Sequence, residues 1–156
     1  MLIDFGLLVE PFDFEKYDYI KLPTKDTWGV LMRKDSPLAV KERIEPRDLW
    51  EQPLIISHQT SRSSEMISWL QRDVSSLNIV ATYDLIYNAS RFVKMGFGYV
   101  IGLDGLINTS GDSELCFRPL YPPAEAGLCI VWKRYQVFSK AAEKFLSQMR
   151  SEFSQP

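Results

Sequence analysis

Two short polar stretches carry the residue types best suited to holding a ligand. The first is Ser57-His58-Gln59-Thr60-Ser61-Arg62-Ser63, directly behind the apolar run Leu54–Ile56 and ahead of a helical pattern. The second is Tyr83-Asp84-Leu85, behind Ile79–Ala81 and again at the opening of a helix. In an α/β sheet such a junction lies at the carboxyl end of a strand, where ligands bind. Hydroxyl and amide side chains there can hydrogen-bond a small polar molecule. The helix N-terminus adds unpaired backbone N–H groups and a positive dipole end. Taken singly, each stretch fits an ordinary helix cap in a solvated loop at least as well. Two such junctions in one chain favour a shared cleft.

Little else in the chain resembles a reactive centre. There is one histidine, His58, and two cysteines, Cys116 and Cys129. With no second histidine and no Cys-x-x-Cys pair, a metal site is not expected. Each cysteine sits within an apolar run, which predicts two reduced, buried thiols rather than a bridge. Gly96-Phe97-Gly98 with Gly102 has the order helix, glycine, strand. A dinucleotide site needs strand, glycines, helix, so no such cofactor is expected. No serine lies in a Gly-x-Ser-x-Gly elbow. One histidine and scattered carboxylates leave an acid–base enzyme unsupported without excluding it, and no metal or cofactor is expected.

Bulk properties agree. The 156 residues are 46% hydrophobic, 24% charged and 13% aromatic, a balance that builds a buried core. A net charge of −2 and a pI near 5.5 argue against a free-standing DNA-binding module, which needs clustered cations. No apolar run approaches the length of a membrane span, and the first residues lack a basic leader. A cytoplasmic location is the resulting expectation.

The elements that must position these residues alternate in kind. The apolar runs Ile3–Val9, Gly29–Met32, Leu54–Ile56, Ile79–Ala81, Tyr99–Leu103 and Leu128–Trp132 predict strands. Their lack of strict alternation suits strands buried on both faces, as in a mainly parallel sheet. A short helix is expected from Pro46, ending before Pro53. A second should start near Ser61 or Ser63, with Met66, Trp69, Leu70 and Val74 on one face. A third should be capped by Asp84 and closed by Gly96. The last should follow Ser139 and present Ala141, Ala142, Phe145, Leu146 and Met149 as a stripe. The fold class is therefore α/β.

Several segments, in order, resemble the effector-binding domain of LysR-type bacterial transcription regulators. They are Ile3–Val9, then Trp28 through Leu38 with its Ser36-Pro37-Leu38 ending, then Ile44-Glu45-Pro46-Arg47-Asp48-Leu49. Next come Val93-Lys94-Met95-Gly96-Phe97-Gly98-Tyr99-Val100-Ile101, and finally Leu128–Lys133 with Ser139–Phe145. No single piece is specific; their order and spacing are. The resemblance covers the whole chain, yet the chain covers only part of the family pattern. The winged helix-turn-helix head, the linker helix, and the opening strand and helix of the effector domain have no counterpart here.

The resemblance implies a two-lobed fold of the periplasmic-binding-protein type 2 class, with an incomplete first lobe. That lobe would be residues 1–24 and 119–156, and the second 25–118. It implies a small-molecule effector between the lobes and assembly as a homodimer or higher homo-oligomer. DNA would be reached only through a domain outside this chain, and no membrane partner is implied. Effector contacts would come from Ser57, His58, Gln59 and Thr60, from Asp84 and Leu85, from Glu10, and more weakly from Leu103 and Asp104. The carboxylates of Glu10, Asp84 and Asp104 oppose an anion while the helix N-termini favour one. A transport-type solute-binding protein would share the fold and is the alternative reading.

Overall fold

The structure, a computed structural model, describes residues 3–153. It divides into two compact units: the residues up to Asp26 with those from Ala126, and Thr27–Glu125. The strands are β1 (Gly6–Val9), β2 (Tyr17–Arg33), β3 (Leu54–Ser57), β4 (Ile79–Tyr83), β5 (Tyr99–Leu103), β6 (Leu115–Pro119) and β7 (Glu125–Lys133). The helices are α1 (Pro46–Leu49), α2 (Ser64–Leu70), α3 (Ile86–Lys94) and α4 (Lys140–Phe153).

In the Thr27–Glu125 unit the later part of β2 lies between β6 and β5, followed by β3 and β4. Side chains alternate along each strand, and both faces are covered. Val30, Met32, Leu54, Ile56 and Ile101 enter one cluster with Leu49, Met66 and Leu70 from the helices. Leu31, Ile55 and Val100 enter another with Ala89 and Val93 of α3. Burial on both faces is why these strands read as unbroken apolar runs.

The direction of the strands departs from expectation. β3 runs parallel to β4 and β5, but β2 is antiparallel to β5 and β6. The sheet is therefore mixed. An unbroken apolar run reports that both faces are buried and says nothing of direction, which the connections set. The first half of β2 was not expected as a strand, and β6 only as a strand-like apolar run around Cys116. Arg118 and Pro119 in β6, and the charges among Asp18, Lys21, Lys25 and Asp26 in β2, hide their apolar alternation.

Local signals set the helix ends. In α1 the Asp48 carboxylate accepts from the Glu45 N–H at 3.0 Å and from Lys41 Nζ at 2.6 Å. Ser63 caps α2, its hydroxyl accepting from the Met66 N–H at 3.3 Å. That helix stops at Leu70, because Gln71 turns left-handed with φ 56°, so Val74 lies outside it. Gly96, with φ 81°, reverses the chain after α3 as a glycine can.

In the other unit β7 lies between β1 and β2. Ile20, Trp132, Leu146 and Met149 form its core with Phe5 and Phe138 against them. Helix α4 turns Ala142, Leu146 and Met149 inward at helical spacing. The expected stripe was wider. Ala141 and Phe145 face outward, although the Phe145 ring still lies 5.2 Å from that of Phe5. The observed first strand starts at Gly6 rather than Ile3.

Candidate functional site

The parallel pairing of β3 and β4 sets Ser57 beside Tyr83. Both strands therefore release their following loops at one edge of the sheet. β5, parallel to β3, ends at the same edge with Leu103. Three strand carboxyl ends and the opening of α3 converge there.

The loop after β3 is held by its own hydroxyls. The Thr60 N–H donates to Ser57 Oγ at 2.9 Å, and the two hydroxyls lie 2.6 Å apart. Thr60 is only 3% exposed, so its hydroxyl serves the turn. Ser61 Oγ donates to the His58 carbonyl at 2.8 Å, and the His58 N–H donates to the Tyr83 carbonyl at 3.2 Å. Gln59 stands at the N-cap position of the short turn Thr60–Arg62 without a side-chain cap bond, and is itself partnered.

The two junctions meet through His58. Its Nδ1 lies 3.0 Å from Asp84 Oδ1, and its Nε2 lies 3.1 Å from Thr82 Oγ1. In a neutral ring, Nδ1–H donates to the carboxylate and Nε2 accepts from the threonine hydroxyl. Asp84 therefore does not cap α3 as expected. The N-cap is Leu85, which has no side-chain cap bond, and Asp84 turns to the histidine instead. Beneath, half-buried Tyr83 donates its hydroxyl to the Ile101 carbonyl at 2.9 Å. Burial pushes that phenol up to about 12. Thr82 and Tyr83 contribute to the site without having been singled out as ligand contacts. Only the pairing of β3 with β4 reveals Thr82, whereas Tyr83 already opens the second polar stretch.

Leu85, Leu103 and Asp104 lie at the same edge of the sheet, and Glu10 does not. Leu85 is exposed at the start of α3. Asp104, after β5, accepts from the Gly105 N–H at 2.7 Å, and its own N–H donates to Thr27. With Leu103 it lines a small depression that includes Ile86, Gly102 and Thr109. Glu10 belongs to the other unit. There its carboxylate pairs with Lys21 at 2.9 Å, accepts from the Cys129 thiol at 3.5 Å and lies over Gly127. Burial, and then the Glu10 charge, push Cys129 up to about 11. Both cysteines are free and buried, as expected. Among the described residues no cluster of three His, Cys, Asp or Glu could hold a metal, and no helix is long and apolar enough to cross a membrane.

The model of the LysR substrate binding domain matches residues 2–154. The chain belongs to the LysR substrate-binding domain family. Solved LysR structures share its fold. HinK, a LysR family transcriptional regulator from Pseudomonas aeruginosa, is 21% identical with a TM-score of 0.70, over 97% of this chain and 53% of that one. The CcmR regulatory domain of Synechocystis PCC6803, in complex with 2-PG, is 16% identical with a TM-score of 0.73, over 97% and 74%. The effector binding domain of QuiR in complex with shikimate is 13% identical with a TM-score of 0.77, over 96% and 71%. The family's type 2 periplasmic-binding-protein-like fold is thus the fold seen here. The chain spans about half the length of HinK. No curated protein matches it.

Proposed function

We propose that this LysR substrate-binding domain senses a small-molecule effector for a transcription regulator whose DNA-binding head lies outside this chain. The observation that carries the reading is the meeting of the two polar junctions, with His58 bridging to Asp84 at 3.0 Å beside the Ser57–Thr60 turn. In this reading the effector contacts Ser57, His58, Gln59, Thr60, Asp84 and Leu85, with Leu103 and Asp104 at the margin. The two units correspond to the two lobes of the family fold. The CcmR regulatory domain is solved with 2-PG and the QuiR effector binding domain with shikimate, which supports a small molecule as the ligand. An effector acts only through its differential affinity for two arrangements of the regulator.

The domain works without chemistry, in the cytoplasm, and as part of a homodimer or higher homo-oligomer. Helix α3 supports the assembly. Ala89 and Val93 are buried, while Tyr87, Phe92 and the adjoining Met95 expose apolar surface that a second subunit covers. The LysR family match favours this reading over a transport-type solute-binding protein. Native mass spectrometry of the protein purified from its host tests it. A stoichiometric small molecule retained by the native chain and lost in His58→Ala supports the site. A molecule retained equally by both removes it.

A further inference from the structure

The smaller unit contains a groove of about 420 Å³ that the effector reading does not use. Tyr17, Asp18 and Tyr19 of β2 line it, with Trp132 of β7, Arg134 in the turn that follows, and Arg150 of α4. Its volume falls within the range of small-molecule sites, about 300–1,000 Å³. Its floor is rigid, since Ile20 and Trp132 belong to the core with Leu146 and Met149. Its tyrosines are braced by neighbouring rings: Tyr19 lies 5.2 Å from Phe14 and 5.9 Å from Phe12, and Tyr17 lies 6.5 Å from Phe12.

The Arg134 guanidinium is also held in place. Arg134 donates through Nη2 to the Phe14 carbonyl at 3.2 Å, and its Nε lies 3.7 Å from the Asp18 carboxylate. A guanidinium has five N–H donors, so these contacts orient the group without using its full capacity. Arg150 lies over the Trp132 ring, 5.7 Å from its centroid. Set against them is one lining carboxylate, Asp18, which leaves the groove with an excess of positive charge. Planar guanidinium forks match carboxylate and phosphate oxygens better than any other small-molecule group. Pre-ordered walls reduce the entropy a ligand must give up on binding.

We propose that this groove is a second ligand site, for a compact organic anion bearing a carboxylate or a phosphate. It is separate from the effector loop and draws on Arg134 and Arg150 for recognition. The test is a ¹⁵N NMR titration of the 156-residue chain with succinate, with glycerol 3-phosphate, and with uncharged glycerol, each at matched ionic strength. The Trp132 indole N–H, assigned with Trp132→Phe, is the reporter. Succinate or the phosphate ester should shift it saturably, together with the amides of Asp18 and Arg134, and glycerol should not. The arm that saturates identifies the oxyanion. Arg150→Gln should weaken binding about tenfold, the usual cost of losing a charge-assisted hydrogen bond. Arg134→Gln should do the same but also releases Phe14, so Arg150→Gln decides. Three results overturn the site: no saturable shift with either anion, equal affinity in Arg150→Gln, or shifts confined to the amides of His58–Thr60.

Discussion

His58 and Asp84 are 26 positions apart, yet Nδ1 of one lies 3.0 Å from Oδ1 of the other. The cause is the parallel pairing of β3 with β4, which brings both strand ends to one edge. The ring ties the loop after β3 to the opening of α3. Both partners are exposed, and an exposed pair of this kind contributes about 0–1 kcal/mol. His58→Ala should therefore change the urea midpoint little while weakening the effector complex. Unchanged effector affinity in a folded His58→Ala protein would show that the bridge has no part in binding.

Thr60 also holds the loop together. Its buried hydroxyl is paired with Ser57. Thr60→Val should destabilise the chain by about 1–3 kcal/mol, because Ser57 loses a buried partner. Thr60→Ser should recover most of that. Equilibrium unfolding of the three proteins checks this. Equal stability of Thr60→Val and the parent would place the hydroxyl outside any structural role.

The exposed face of α3 makes a prediction about assembly. Phe92 is 47% exposed, with its ring edge-on to Phe97 at 5.9 Å. Phe92→Asp should leave folding within about 0.5 kcal/mol, as surface changes usually do. It should abolish self-association of the full-length regulator in sedimentation. A full-length regulator that is monomeric before the substitution removes the interface altogether.

The thiols give a pH dependence with a definite sign. Cys129 is raised to about 11, chiefly by burial and then by Glu10, against about 8.5 in the unfolded chain. The fold thus favours the neutral thiol. That contribution is complete below the unfolded value and is lost as pH rises from about 8.5 toward about 11. Thermal midpoints should fall across this window, and Cys129→Ala should flatten the fall. At pH 8 a disulfide reagent should react slowly with the native chain and rapidly with both cysteines in denaturant. Fast native labelling at Cys129 contradicts the burial.

Much of this was legible before any coordinates. Leu54–Ile56 and Tyr99–Leu103 read as strands because burial on both faces leaves no polar position. Ser63 and Gly96 read as helix ends because their chemistry suits caps. The two polar junctions read as one site because both follow strands. Other features were hidden for physical reasons. Whether β2 runs parallel or antiparallel to β5 depends on connections that hydrophobicity does not encode. Asp84 has the right type for an N-cap, but a tertiary contact with His58 outcompetes that local role. Thr82 enters the site only through strand register. Arg134 and Arg150 are 16 positions apart in the numbering, and no motif joins them.

The central claim is that an effector binds where β3 and β4 release their chains. The most direct measurement is an amide NMR titration of the native chain with the molecule released from the protein purified from its host. The account predicts saturable shifts clustered at Ser57–Thr60 and Asp84–Tyr87, and their loss in His58→Ala. Saturable shifts that leave those two stretches silent would contradict it.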